Sequence, residues 1–166
     1  MFTPDTPFSE SSECYYQSLN EQLAALLAGE TDFICNSAQF SAFIMQTLDD
    51  LNWAGFYFAR KNELVLGPYV GKVACTRIPF GRGVCGKAAM TATTQRIANV
   101  HEFEGHIACD VASASELVVP LIVGDALLGV FDIDSPKVNR FSEVDQIGIQ
   151  TLLATFLQAT KIQWSI

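Results

Sequence analysis

Glu116-Leu117-Val118-Val119-Pro120-Leu121-Ile122-Val123-Gly124-Asp125-Ala126-Leu127-Leu128-Gly129-Val130-Phe131-Asp132-Ile133 is the stretch whose reading decides the fold. Glu116 to Val123 and Ala126 to Ile133 are apolar runs rich in β-formers, and Gly124-Asp125 between them suits a two-residue hairpin turn with positive backbone φ. They are the most strongly patterned strands of the chain and are expected at the sheet centre.

Working outward, Gln95 to Val100 reads as an edge strand, and His101 to Ser115, without steady periodicity, reads as a loop over the sheet. Gly81-Arg82-Gly83 leads into a short helix from Cys85 to Ala92, preceded by a strand over Val73 to Ile78. Trp53 to Ala59 and Glu63 to Leu66 form a hairpin turned by Lys61-Asn62 and closed by Gly67-Pro68. Helical spacing marks Tyr16 to Leu27, capped by Ser11 or Ser12 and stopped near Gly29, and Ser37 to Leu51, capped by Asn36. A long terminal helix starts at Ser142 as cap, with Asp145 in its first turn. Helices at both ends of a block of hairpins predict an α+β domain, a central antiparallel sheet with the helices on one side.

The chain of 166 residues has the size of one domain, and 49% hydrophobic content suffices for a core without structural metals or disulfides. The runs Leu117 to Val123 and Ala126 to Phe131 are too short to span a bilayer, so no membrane is expected. Eighteen acids against ten bases give a net charge of -8, which argues against nucleic acid and anionic lipid as partners. Met1 to Ser12 has neither signal-peptide nor transit-peptide character, which predicts a cytoplasmic protein. Five cysteines in a reducing compartment point to transient rather than structural disulfides.

Cys14 and Cys35 fall at the edges of the N-terminal helices and read as small hydrophobes. Cys75, beside Ala74, reads from spacing alone as a strand core residue. Cys85 follows the Gly-Arg-Gly loop at a helix start, where free N–H groups, the helix dipole and Arg82 favour a thiolate. For Cys109, next to Asp110 and close to His106, a redox role and a packing role stand as equal alternatives. Zinc is disfavoured because no Cys-x-x-Cys pair occurs and Gly105 separates His101 from His106; no metal or cofactor is expected. Gly81-Arg82-Gly83 lacks the Lys-Ser/Thr ending of a phosphate loop.

Asp132 and Asp134 bracket Ile133, so alternation puts both carboxylates on one face, with Glu116 at the start of the preceding strand. Strand-end acids in water are the plain alternative. Gathered in a pocket, like charges raise at least one pKa and leave a neutral acid able to protonate a leaving oxygen. Sulfoxide reduction needs such an acid beside a thiolate: sulfur attacks the sulfoxide sulfur, the oxygen is protonated and departs as water, and a second cysteine closes a disulfide. Trp53 and Tyr57 offer an apolar wall for a small methylated group, or are core aromatics.

The segments Asn52-Trp53-Ala54-Gly55-Phe56-Tyr57, Gly81-Arg82-Gly83-Val84-Cys85-Gly86, Gly105-His106-Ile107-Ala108-Cys109-Asp110 and Ser115-Glu116-Leu117-Val118-Val119-Pro120 resemble the signature blocks of the free methionine-(R)-sulfoxide reductases. Asp132-Ile133-Asp134-Ser135 and Arg140-Phe141-Ser142 continue the likeness, which runs in order from about Tyr16 onward. The resemblance implies a GAF fold, a homodimer, reduction of free rather than protein-bound methionine-(R)-sulfoxide, and recycling by thioredoxin. It implies that Cys109 attacks and becomes a sulfenic acid, that Cys85 resolves it as a disulfide, and that Cys75 is an auxiliary thiol. It further implies that Glu116, Asp132 and Asp134 bind the amino group and sulfoxide end of the substrate, Trp53 and Tyr57 enclose its methyl side, and backbone around Ile107, Ala108 and Asp110 holds its carboxylate. Residues 14–166 are then one catalytic domain behind a disordered extension over 1–13. Two rivals stay in view, a GAF sensor of a small ligand and a peroxide-sensing thiol protein. The first normally sits beside an output domain, and the second leaves the acids unexplained.

Overall fold

The structure, a computed structural model, describes residues 12–103 and 112–161. Helix α1 (Glu13–Leu26) opens where Ser12 accepts from the Tyr15 amide at 3.2 Å, and Gly29, at φ 85, turns the chain after it. Helix α2 (Phe33–Thr47) begins before the predicted Ser37, because Asp32 rather than Asn36 is its cap, accepting from the Cys35 amide at 2.8 Å. Asn36 is instead buried inside the helix, donating to Thr160 Oγ1 at 3.0 Å, and so ties α2 to the end of the last helix.

Strands β1 (Trp53–Arg60), β2 (Glu63–Gly71), β3 (Arg77–Pro79), β4 (Gln95–Ile97), β5 (Ser115–Val123) and β6 (Ala126–Ser135) form one antiparallel sheet in the order β3-β2-β1-β6-β5-β4. The decisive hairpin closes as read, Val123 opposite Ala126, with Gly124 at φ 59 supplying the turn. Its position is a partial correction: β6 is central beside β1, whereas β5 lies one strand from the edge, flanked by the short β4.

Two further expectations fail for physical reasons. Strand β2 runs through Gly67-Pro68, because the register shifts there and both residues sit in a bulge opposite Phe56. The predicted strand over Val73 to Ile78 shrinks to β3, since Val73 is 85% exposed and pairs with no strand among the described residues. The carbonyls of Lys72 and Cys75 accept from Trp53 Nε1 (3.2 Å) and the Tyr57 hydroxyl (3.0 Å), so side chains satisfy that backbone in place of a ladder.

Helix α3 (Gly83–Thr91) follows β3, a 3-10 turn spans Val100–Glu102, and α4 (Glu143–Ala159) closes the fold on a capping box between Ser142 and Asp145. Period-two alternation splits the sheet into two faces. Ala54, Phe56, Phe58, Leu117, Val119, Phe131 and Ile133 meet α1, α2 and α4 in the larger core. Trp53, Tyr57, Val118 and Val130 point the other way and meet α3 through Val84, Cys85, Ala88 and Ala89. The helices of the two ends, α1, α2 and α4, share one side, as expected. Helix α3 covers the opposite face, and the candidate residues lie beneath it.

Candidate active site

The strands assemble the site by register alone. Glu116 pairs with Asp134, Val118 with Asp132, and Trp53 and Gly55 stand opposite Asp134 and Asp132 across β1. Alternation turns Glu116, Asp132 and Asp134 to the α3 face, and all three are buried. They are not strand-end residues in water.

Cys85 reaches them from the first turn of α3. Its thiol donates to Glu116 Oε1 at 3.8 Å, and one ligand atom each from Cys85, Glu116 and Asp132 lie within 4.8 Å of one another. The buried Asp132 Oδ1 has no hydrogen-bond partner among the described residues. Burial pushes the Cys85 thiol well above its ordinary pKa, and the negative potential of Asp132 and then Glu116 adds to it. The expected thiolate is therefore disfavoured: desolvation and the acids hold the proton on sulfur, and the Arg82 side chain makes no cap bond at the start of α3. Burial likewise lifts Glu116 well above the carboxylate range, helped by Asp132 and Asp134, and lifts Asp132 to about 7. Near neutral pH the pocket therefore holds a thiol proton and at least one carboxyl proton, a proton store beside an unpartnered acceptor.

Trp53 and Tyr57 are buried and stacked, ring centroids 5.8 Å apart at 22°, along one side of this face. Their polar tips bind the Lys72 and Cys75 carbonyls, so the aromatic pair also holds the segment bearing Cys75. Cys75 is half-buried, packs against the α3-side cluster and lies between β2 and β3, not within a strand. Tyr69, which the sequence reading left out, stacks on Trp53 at 5.2 Å and 15°. It stands opposite Gly55, where a Cβ would fall 2.3 Å from the Tyr69 Cβ. Gly55 is the sequence signal for this approach, and Tyr69 lies beyond the Gly67-Pro68 pair at which local sequence alone ends the strand.

Ile107, Ala108, Cys109 and Asp110, with His106, lie outside the described residues. Their neighbours in sequence are placed against the site. Phe103 packs on the α3-side cluster with Lys87 Nζ 5.1 Å from its ring centroid, and Ser113 Oγ accepts from Asn52 Nδ2 at 3.0 Å. His101 is exposed on the 3-10 turn. Cys14 and Cys35 are exposed, correcting their reading as partly buried hydrophobes: each lies in the first turn of its helix, on the side away from the core. No helix among the described residues is long and apolar enough to cross a membrane.

What the arrangement can do is bind a cation, hold a carboxyl proton over a polar oxygen, and present a thiol. Comparison with known proteins narrows this. The GAF domain family matches residues 36–159. The chain is 51% identical over 140 residues to the free methionine-R-sulfoxide reductase of Escherichia coli, covering 84% of this chain and 85% of that one. It is 42% identical over 154 residues to the protein of the same name from Saccharomyces cerevisiae, covering 86% of each. The structure of free methionine-R-sulfoxide reductase from Neisseria meningitidis in complex with its substrate superposes with a TM-score of 0.86 at 37% identity, covering 93% of this chain and 94% of that one.

Proposed function

Given that the chain belongs to the GAF domain family and, within it, to the free methionine-R-sulfoxide reductases, we propose that it reduces free methionine-(R)-sulfoxide to methionine by thiol chemistry at the α3 face of the sheet. The observation that carries the reading is a buried thiol, Cys85, bonded at 3.8 Å to one of two buried acids whose pKa values are raised. A substrate with both a cationic and a polar oxygen end answers such a pocket. Its ammonium neutralises ionised carboxylate, and its sulfoxide oxygen takes a hydrogen bond from a protonated acid.

In this reading Cys109 attacks the sulfoxide sulfur while Glu116, Asp132 and Asp134 hold the amino and sulfoxide ends. The acid proton neutralises the developing charge on oxygen. The oxygen passes to Cys109 as a sulfenic acid, and methionine departs. Cys85 then attacks the Cys109 sulfur, the oxygen leaves as water, and a Cys85–Cys109 disulfide closes. Two electrons from the dithiol of thioredoxin reopen it, and Cys75 serves as an auxiliary thiol. Cys85 suits the resolving step by its place: as it attacks, its proton passes to the adjoining acids and leaves with the sulfenic oxygen as water. Trp53 and Tyr57 enclose the methyl group, and the backbone of Ile107, Ala108 and Asp110 receives the carboxylate. Residues 14–166 act as one catalytic domain, paired as a homodimer, in the reducing cytosol where thioredoxin operates.

A single-turnover experiment tests this. Fully reduced protein, mixed with excess free (R)-sulfoxide and no recycling reductant, is expected to release one methionine per chain and to yield a Cys85–Cys109 disulfide on peptide mapping. Methionine release with both thiols still free would remove the proposed chemistry.

A further inference from the structure

We propose that Cys85, Glu116 and Asp132 also form a binding site for a divalent zinc ion, and that zinc bound there blocks the pocket. The observation is not the acidity alone. One sulfur and two carboxylate oxygens from three separate elements lie mutually within 4.8 Å, all three residues are buried, and the buried Asp132 Oδ1 has no hydrogen-bond partner among the described residues. A carboxylate oxygen left unpartnered at this depth calls for a positive group. Tetrahedral zinc, with bonds of about 2.0 to 2.3 Å, sets its ligand atoms about 3.5 Å apart. Cys85 Sγ and Glu116 Oε1 are already at 3.8 Å, and the Asp132 ligand atom lies within 4.8 Å of both, so closing the set takes a shift of about 1 Å.

The donor set selects the metal. A thiolate disfavours magnesium and calcium, which take oxygen ligands in larger number, and favours zinc or cobalt. As the zinc bonds form, the Cys85 S–H bond and the O–H bond of the carboxyl that holds a proton both break, and both protons pass to the buffer. Three protein ligands leave a fourth position for water, the pattern of an open rather than a sealed site. Cys85 in the first turn of α3, Glu116 on β5 and Asp132 on β6 are each fixed by packing, so the site is largely pre-formed. No short-range spacing marks these ligands, since they lie on three separate elements. The blocking half of the proposal rests on the reductase reading, because zinc would occupy the place of the substrate's cationic end. The binding half does not.

The test uses the whole reduced chain, titrated with cobalt(II) as a spectroscopic probe and then with zinc. The expected result is a thiolate-to-cobalt charge-transfer band that saturates at one ion per chain and is bleached by zinc. The band should vanish in Cys85→Ser. In Asp132→Asn the affinity should fall at least about tenfold, since even residues that only support a metal ligand cost that much when changed. No band in the unchanged protein, or a band that survives Cys85→Ser, overturns the site. Should Cys85→Ser fail to fold, Asp132→Asn decides alone, because it keeps every thiol, and unaltered cobalt affinity there also overturns it. Zinc that binds without slowing turnover removes the blocking half only. A protein that binds cobalt as expected but never reduces the sulfoxide refutes the reductase reading and leaves the metal site standing.

Discussion

Cys85 and Cys109 divide the proposed chemistry, and substitution separates them. Cys109→Ser is expected to abolish methionine formation, whereas Cys85→Ser should release one methionine per chain and then stall with a sulfenic acid that a dimedone-type trap captures. Full turnover by Cys109→Ser contradicts the division. Glu116→Ala and Asp134→Ala are expected to raise KM and lower kcat with the fold intact by circular dichroism, and unchanged kinetics in both would return these acids to a structural role. The shared face of the acids is legible, because alternation along Asp132-Ile133-Asp134 turns both carboxylates the same way, but that this face is buried is not. The protonation of Cys85 is not legible either. It depends on Glu116, 31 positions away, and on the burial that α3 imposes, whereas the local sequence, a glycine loop with an arginine before a helix, argues for the opposite charge.

At the level of elements, the β5–β6 hairpin and α4 carried their own signals and folded accordingly. Ser142→Ala should cost about 1 kcal/mol by chemical denaturation, because it removes the hydroxyl that accepts from the Asp145 amide and donates to the Asp145 carboxylate. Gly129→Ala should cost about 1 to 3 kcal/mol or prevent folding, since a Cβ there would stand 2.2 Å from the Tyr57 carbonyl oxygen in the neighbouring strand. A melting curve matching the parent would show that β1 and β6 are not so closely apposed. The elements misread from sequence are those whose partners lie elsewhere. Gly67-Pro68 punctuates a chain in isolation but is absorbed by a bulge opposite Phe56. Val73 looks like a strand residue but finds no strand among the described residues, because Trp53 and Tyr57 take up the backbone around it.

Across the whole molecule, the two faces of one sheet divide structure from chemistry. Phe40, Phe56, Phe131 and Phe156 interlock on one face, with centroid distances from 4.8 to 5.7 Å, and Phe40→Ala there should cost about 3 to 5 kcal/mol. The other face stores polar groups that favour function over stability, and this gives the fold a pH signature. Asp132 has a folded pKa near 7 against an ordinary 3.8, so the folded chain keeps a proton that the unfolded chain has already lost. That contribution to stability is complete below about pH 4 and is lost as the pH rises through about 7, and Glu116, raised in the same sense, reinforces it. The melting temperature should therefore fall between pH 5 and pH 8, and the fall should be shallower in Asp132→Asn; a rise over that range contradicts the buried, protonated pocket. The central claim, that this pocket reduces free methionine-(R)-sulfoxide, is tested most directly by turnover of the purified protein with thioredoxin recycling, comparing the free R and S epimers side by side. Reductant consumption confined to the R epimer is the predicted result. Folded, fully reduced protein that consumes reductant with neither epimer would contradict it.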